Sequence, residues 1–213
     1  MRRALVLVSL LAATSLRAQE VPTRRLLAER AATITGSQAW FELGCELVET
    51  QLSFDVAAAL QTANELAAAA DTNDRRRVAT AMVGLATTLH EGPLAAAARR
   101  TADNPTPTHP EPIVGHELSD DASPRLAAFH HNALALQAYY ADVPSEFLPS
   151  MFAALSAARR SGDPASLARA AWTLHLITEQ YANPYDVELL RELATHDGDP
   201  RVERFRAWAE LNR

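Results

Sequence analysis

Apolar residues recur at intervals of three or four positions along most of this chain, as in the series Val78, Met82, Leu85 and Leu89. That interval is the period of an amphipathic helix, whereas a half-buried strand would alternate apolar and polar residues. The pattern therefore predicts helices and no sheet. The predicted helices span Thr23–Thr33, Ser37–Leu52, Phe54–Ala70, Asn73–His90, Pro93–Thr101, Pro124–Ala141, Pro144–Ser161, Pro164–Tyr181, Pro184–Ala194 and Pro200–Leu211.

Prolines mark where several of these helices begin. Asp163-Pro164, Asn183-Pro184 and Asp199-Pro200 each place a hydrogen-bond acceptor before a proline. Acidic and amide side chains are favoured at the N-cap, and proline is tolerated at the first helical position because its missing N–H would have no partner there. Alanine is abundant and glycine scarce, which also favours helix. We predict an all-α fold, a single-domain multi-helix bundle.

The stretch 103–123 interrupts the helical pattern. Pro105, Pro107, Pro110 and Pro112 prevent a regular helix there. An irregular segment of about twenty residues is uncommon inside a compact domain and is usually functional or disordered. Because proline restricts the backbone, we expect one long, ordered, proline-rich loop. Its possible metal ligands are Asp103, His109, Glu111, His116, Glu117, Asp120 and Asp121.

Residues 1–18 have the features of a signal peptide. The chain starts with a basic pair, continues with an apolar run too short to span a bilayer, and reaches Ala18 before a plausible cleavage point. We expect residues 19–213 to form the exported domain, periplasmic or secreted, without a transmembrane segment after cleavage. Cys45 is the single cysteine, so packing rather than an internal disulfide must hold the fold, and its apolar surroundings predict burial.

The charge balance limits the possible partners. The formal net charge is −6, whereas tight binding to nucleic acid or to anionic lipid depends on a cationic surface. The arginine clusters, such as Arg75–Arg77, are scattered and lie near acidic residues, which is typical of solvated helix faces. Tight nucleic-acid binding is therefore not expected.

His175 and Glu179 lie four residues apart in an otherwise apolar helical segment. At that spacing the imidazole and the carboxylate share one helix face and could hold a divalent metal ion. A pair of this kind is also common as an ordinary hydrogen-bonded contact on a helix surface. Both interpretations remain open at this stage.

The segment from Ser161-Gly162-Asp163 to Asp186 resembles part of the zinc-dependent phospholipase C / S1-P1 nuclease superfamily, in which a helix presents metal ligands and then runs into an Asn-Pro or Gln-Pro turn. The family's amino-terminal ligands have no counterpart here, because the first histidine is His90. The resemblance implies two sites. The first would use Asp103, His116, His175 and Glu179, and the second Asp186, Asp199 and Glu203.

The resemblance further implies a metal-dependent hydrolase that acts on a phosphodiester or a phospholipid, that is, on a small-molecule or lipid phosphate ester. Zinc would lower the pKa of a bound water to about 7, and Asp103 would serve as ligand or as general base. The all-carboxylate second site would favour Mn²⁺, Mg²⁺ or Ca²⁺. The alternative is a non-catalytic exported helical protein with a binding or structural role.

Overall fold

The computed structural model describes residues 22–101, 117–140 and 144–178, together with Glu188, Glu192 and Glu203. Within these residues the regular structure is entirely helical, which confirms the all-α prediction for this part of the chain. None of these helices is both long and apolar enough to cross a membrane. The helices are α1 (22–32), α2 (Gln38–Leu52), α3 (Val56–Ala69), α4 (Asn73–Thr101), α5 (Pro124–Tyr140), α6 (Pro144–Ser161) and α7 (Pro164–Thr178).

Most predicted helix starts agree with the structure to within two residues. The prolines expected to open helices do so at Pro124, Pro144 and Pro164. The last two predicted helices, Pro184–Ala194 and Pro200–Leu211, fall outside the described residues except at Glu188, Glu192 and Glu203, which are helical.

One prediction is wrong: the separate helices expected over Asn73–His90 and Pro93–Thr101 form the single helix α4. Proline removes one backbone hydrogen bond from a helix and disfavours helical geometry in the residue before it through clashes with that residue's N–H and Cβ. Here the preceding residue is Gly92, which has no Cβ, so the conflict is smaller. The proline therefore lies inside the helix instead of ending it.

Side-chain caps explain where three helices of the amino-terminal half begin. The side-chain oxygens of Ser37, Asp55 and Thr72 each accept a hydrogen bond from the backbone N–H three residues on, at 3.2, 3.0 and 3.2 Å. Each such cap contributes about 1 kcal/mol by satisfying an amide at the helix end. The helix boundaries in this region are thus set by local sequence.

Short connections join consecutive helices. Residues 53–55 link α2 to α3, and residues 162–163 link α6 to α7. Gly162 takes a φ of +66°, a left-handed conformation that ends α6 and that glycine adopts without steric cost. Connections this short make neighbouring helices antiparallel.

The chain divides into two compact units, Met1–Ala98 and Arg99–Arg213. The first contains α1, α2, α3 and most of α4, and the second contains α5, α6 and α7. That residues 19–213 make up one domain stays a prediction.

In the first unit, α2 and α3 approach closely at Gly44. A Cβ added there would lie 2.5 Å from Leu66 Cδ2 and 3.3 Å from Arg30 Nε. The absence of a side chain at Gly44 therefore lets the two helices touch. Cys45 beside it is fully buried, as expected.

In the second unit, α5, α6 and α7 enclose a core made mostly of alanine, which we call the alanine-rich cluster. Small side chains let helix axes come close, and Met151 and Leu174 fill the remaining space. The cluster consists of Ala127, Ala128, Ala135, Ala154, Ala157, Ala158, Ala168, Ala170, Ala171, Met151, Leu155, Leu167 and Leu174.

Candidate functional site

Of the predicted metal ligands, His175 and Glu203 lie among the residues that the structure describes. His175 is half-buried in the last turn of α7, and Glu203 is helical and exposed. Among the residues that the structure describes, no group of three or more His, Cys, Asp or Glu side chains lies close enough to hold a metal ion. The two proposed sites therefore stay predictions. The residues outside the described part are Asp103, His116, Glu179, Asp186 and Asp199.

Asp163, which lies in the segment that carries the family resemblance, has a structural role. Its Oδ1 accepts a hydrogen bond from the Ala165 N–H at 3.1 Å. Its Oδ2 accepts from the Ser166 N–H at 3.2 Å and from the Ser166 hydroxyl at 2.7 Å. These bonds confirm the N-cap expected from the Asp163-Pro164 pair.

Two arginines lie near the Asp163 carboxylate. Arg125 Nε lies 3.4 Å from Asp163 Oδ2, and Arg169 Nη2 lies 3.9 Å from it. Arg169 also stacks on Phe129, with its guanidinium carbon 4.4 Å from the ring centre. Burial raises the pKa of Asp163, but the Ser166 hydrogen bond, the two arginines and the Ala165 amide outweigh burial, so the pKa is lowered. The carboxylate is therefore held ionised as an anchor between α5 and α7.

Two histidines stand next to each other on α5. His130 is 1% exposed, and His131 is half-buried. Their ring centres lie 5.3 Å apart in an edge-to-face arrangement. Burial and the nearby charge of Arg160 lower the pKa of His131. This imidazole is therefore harder to protonate than one in water.

The end of α5 and the first half of α6 carry a group of apolar side chains, exposed except for the half-buried Phe147, which we call the aromatic surface. Tyr139 and Tyr140 contact each other edge-to-face at 5.3 Å, and Tyr139 contacts Phe147 in the same way at 6.3 Å. Leu148 and Phe152 are 40% and 46% exposed. The aromatic surface consists of Tyr139, Tyr140, Phe147, Leu148 and Phe152.

The pattern along α6 contained a signal for this surface. Phe147, Met151 and Leu155 form the helical stripe that faces the core, and Met151 and Leu155 are buried. Leu148 and Phe152 form a second apolar pair, displaced by one position from that stripe. Since side chains four residues apart share a helix face, the displaced pair points away from the stripe's centre. An apolar pair outside the core stripe indicates an exposed contact surface.

Arg75 is buried, although a solvated helix face was expected for Arg75–Arg77. It is 9% exposed, and its guanidinium donates to the Gly36 carbonyl and to Asp71 Oδ1, each at 2.8 Å. It also donates to Gln38 Oε1 at 3.0 and 3.3 Å. These neighbours come from outside α4, so its burial depends on tertiary contacts.

Comparison with known proteins identified no relative: no family model matches the chain, and no match was found among curated proteins or solved structures.

Proposed function

We propose that this protein is a helical scaffold that binds another polypeptide through the aromatic surface. The observation that carries the proposal is the concentration of exposed apolar side chains. Within the described residues, four of the six large apolar side chains that are exposed lie between Tyr139 and Phe152; the other two are Leu27 and Ile34. Contiguous exposed apolar groups on a water-soluble chain mark interaction sites more often than isolated ones do.

The chemistry of the aromatic surface favours an apolar polypeptide segment with basic flanking residues. The five side chains of the surface are uncharged, and tyrosine combines an apolar ring with a hydroxyl that can hydrogen-bond a backbone. Glu146 lies in the first turn of α6 beside the surface, and the chain carries a formal net charge of −6. This carboxylate and the negative net charge favour basic residues in the partner and disfavour nucleic acid, anionic lipid or a second copy of the same acidic chain.

The scaffold beneath the surface supports this role. Phe147 packs against the alanine-rich cluster, and its ring contacts that of Tyr139 edge-to-face. Side chains held by a packed core lose less conformational entropy when a partner binds. The surface is therefore preorganised for binding.

Peptide binding tests the proposal. The probes are a synthetic leucine- and alanine-rich peptide with lysines at both ends and the same peptide with glutamates instead. We expect the full chain to bind the lysine-flanked peptide, with an affinity that falls as salt is added. Phe152→Ser should weaken binding about tenfold or more, because burying one large apolar side chain contributes about 1.5–3 kcal/mol.

Ile34→Ser is the matched control, because Ile34 is 81% exposed but lies outside the aromatic surface. It should leave the affinity unchanged. Equal affinity for both peptides, or equal loss in the two variants, would refute this surface as the binding site.

The metal-dependent hydrolase is the second candidate. The observation that favours it is the position of His175, half-buried in the last turn of α7 and four residues before Glu179. His175 would hold zinc together with Asp103, His116 and Glu179, and the ion would supply an activated water. No step of a reaction follows from the described residues, because His175 is the one ligand of this set that they include.

Metal content separates the two candidates. Protein purified in metal-free buffer and then dialysed against zinc should retain one ion per chain if the hydrolase proposal holds, and His175→Ala should lose it. Hydrolysis of bis-nitrophenyl phosphate or of a phospholipid with zinc or manganese added is the second measurement. Protein that keeps no zinc and hydrolyses neither substrate is not this hydrolase.

A further inference from the structure

The exposed apolar stripe on α6 is about one helical turn long. Leu148 and Phe152 are exposed and lie four residues apart, which is about 6 Å along the helix axis. The next exposed positions along α6 are polar or cationic: Ser156, Arg159 and Arg160. An amphipathic helix in a groove uses apolar anchors at positions such as i, i+4 and i+7, which extend over about two turns. The stripe is therefore shorter than a helical partner needs.

A partner strand has no sheet to join at this surface. Within residues 117–140 and 144–178 the regular structure is helical, so this part of the chain offers no strand edge with unpaired N–H and C=O groups. Addition of an extended peptide to a sheet requires such an edge. A third mode of recognition, the binding of a polyproline II helix, depends on exposed aromatic rings instead.

The tyrosines at the end of α5 supply rings of this kind. Tyr139 and Tyr140 are 37% and 47% exposed. The ring plane of Tyr139 makes an angle of 68° with that of Tyr140 and of 78° with that of Phe147. Neighbouring rings that stand nearly perpendicular present faces and edges in turn, and the flat, apolar ring of a proline packs well against an aromatic face.

Each tyrosine also carries a hydroxyl that can donate a hydrogen bond. Burial and the neighbouring Tyr139 raise the pKa of Tyr140, so its hydroxyl keeps the proton at neutral pH. A polyproline II helix has no internal hydrogen bonds, and its prolines have carbonyl groups but no N–H. A backbone that offers mainly acceptors therefore matches a surface that offers hydroxyl donors.

We propose that the aromatic surface binds a proline-rich segment in the polyproline II conformation, flanked by basic residues. This inference rests on the proposed function and specifies the conformation of the bound segment. One turn of polyproline II covers three residues and about 9 Å, which is close to the length of the apolar stripe on α6. Glu146 beside the surface and the net charge of −6 favour the basic flanks.

Two peptides of equal length, each with lysines at both ends, test the inference. One has a core of proline and leucine with prolines at PxxP spacing, and the other has alanine in place of every proline. The full chain should bind the proline peptide about tenfold more tightly, because its bound conformation largely exists before binding and less entropy is lost. Titration calorimetry measures both affinities.

The double variant Tyr139→Phe and Tyr140→Phe keeps both rings and removes both hydroxyls. It should bind the proline peptide about two- to tenfold more weakly than the parent protein, because hydrogen bonds to the carbonyl groups are lost. Its affinity for the alanine peptide should be unchanged, since a peptide that forms a helix uses its own carbonyl groups. The alanine peptide is therefore the matched control.

The outcomes separate this inference from the proposed function. Equal affinity for the two peptides, or tighter binding of the alanine peptide, overturns the inference and leaves the proposed function standing. Binding of neither peptide refutes both. A double variant that binds the proline peptide as tightly as the parent protein also overturns the inference. If the double variant does not fold, the comparison of the two peptides in the parent protein decides.

Discussion

The two units differ in the side chains that hold their helices together. In the first unit, buried guanidinium groups tie helices together: Arg30 stacks 3.9 Å from the centre of the Trp40 ring and pairs with Glu65 at 3.1 Å. In the second unit, small apolar side chains fill the centre, and the Asp163 carboxylate pairs with Arg125 and Arg169 at the edge. The first unit should therefore be sensitive to lost partners, and the second to lost volume.

The largest effect is expected from Met151→Ala in the second unit. Met151 is fully buried within the alanine-rich cluster, and the alanines around it are too small to fill the space left behind. Truncation of a buried side chain to alanine costs about 2–5 kcal/mol in the free energy of unfolding, and the upper half of that range is expected here. Urea unfolding of the full chain measures it.

Phe152→Ala is the control for this substitution, because Phe152 is adjacent to Met151 but is 46% exposed. It should cost less than Met151→Ala by about 2 kcal/mol. Similar losses in the two variants would contradict the assignment of Met151 to a tightly packed core.

Arg75→Met should show the dependence of the first unit on polar partners. Methionine keeps much of the aliphatic stem but leaves the Gly36 carbonyl and Gln38 Oε1 without their donors. Because Gly36 is half-buried and Gln38 is exposed, water can replace part of the lost hydrogen bonding, and a loss of about 2 kcal/mol is expected. Arg76→Met is the matched control: Arg76 is exposed, and a change within about 0.5 kcal/mol is expected.

Gly44→Ala should cost about 1–2 kcal/mol, because the new methyl group would overlap Leu66. The better helix propensity of alanine offsets part of this loss. The same substitution in a Leu66→Ala background should cost less, since the overlap is relieved. A double-mutant cycle measures the coupling. Additive losses would mean that α2 and α3 do not meet at this glycine.

The smallest effect is expected from Asp163→Asn, at about 1 kcal/mol near neutral pH, because the amide keeps an acceptor but loses the charge. The folded-state pKa of Asp163 lies below its ordinary value of 3.8. Its ionised form therefore stabilises the protein fully above pH 3.8, and that contribution is lost as the pH falls through the folded pKa. The free energy of unfolding of Asp163→Asn should not show this loss at low pH. That of Asp120→Asn, an exposed control, should still show it.

The candidate metal sites show where prediction from sequence stops. The spacing of His175 and Glu179 places both on one face of a helix, which is a local property. Whether Asp103 and His116 lie near that face depends on the path of the chain between distant segments. No periodic pattern or motif specifies that path, so these residues remain candidates.

Local sequence was sufficient for the helices and their starts. Apolar periodicity located α2, α5, α6 and α7, and Asp163-Pro164 marked a cap that the hydrogen bonds confirm. Both signals act over a few residues, because helix propensity, capping and proline geometry depend on the nearest backbone groups. The Gly92-Pro93 pair was misjudged because either residue alone favours a helix end.

Between adjacent residues of similar type, burial was decided by tertiary structure. Arg75 and Arg76 are neighbours of the same type, yet the first is buried by contacts with Gly36 and Gln38 and the second is exposed. Phe152 and Met151 are likewise adjacent apolar residues with opposite exposure. Where neighbouring residues are alike, the helices that pack against each face determine which of the side chains leaves water.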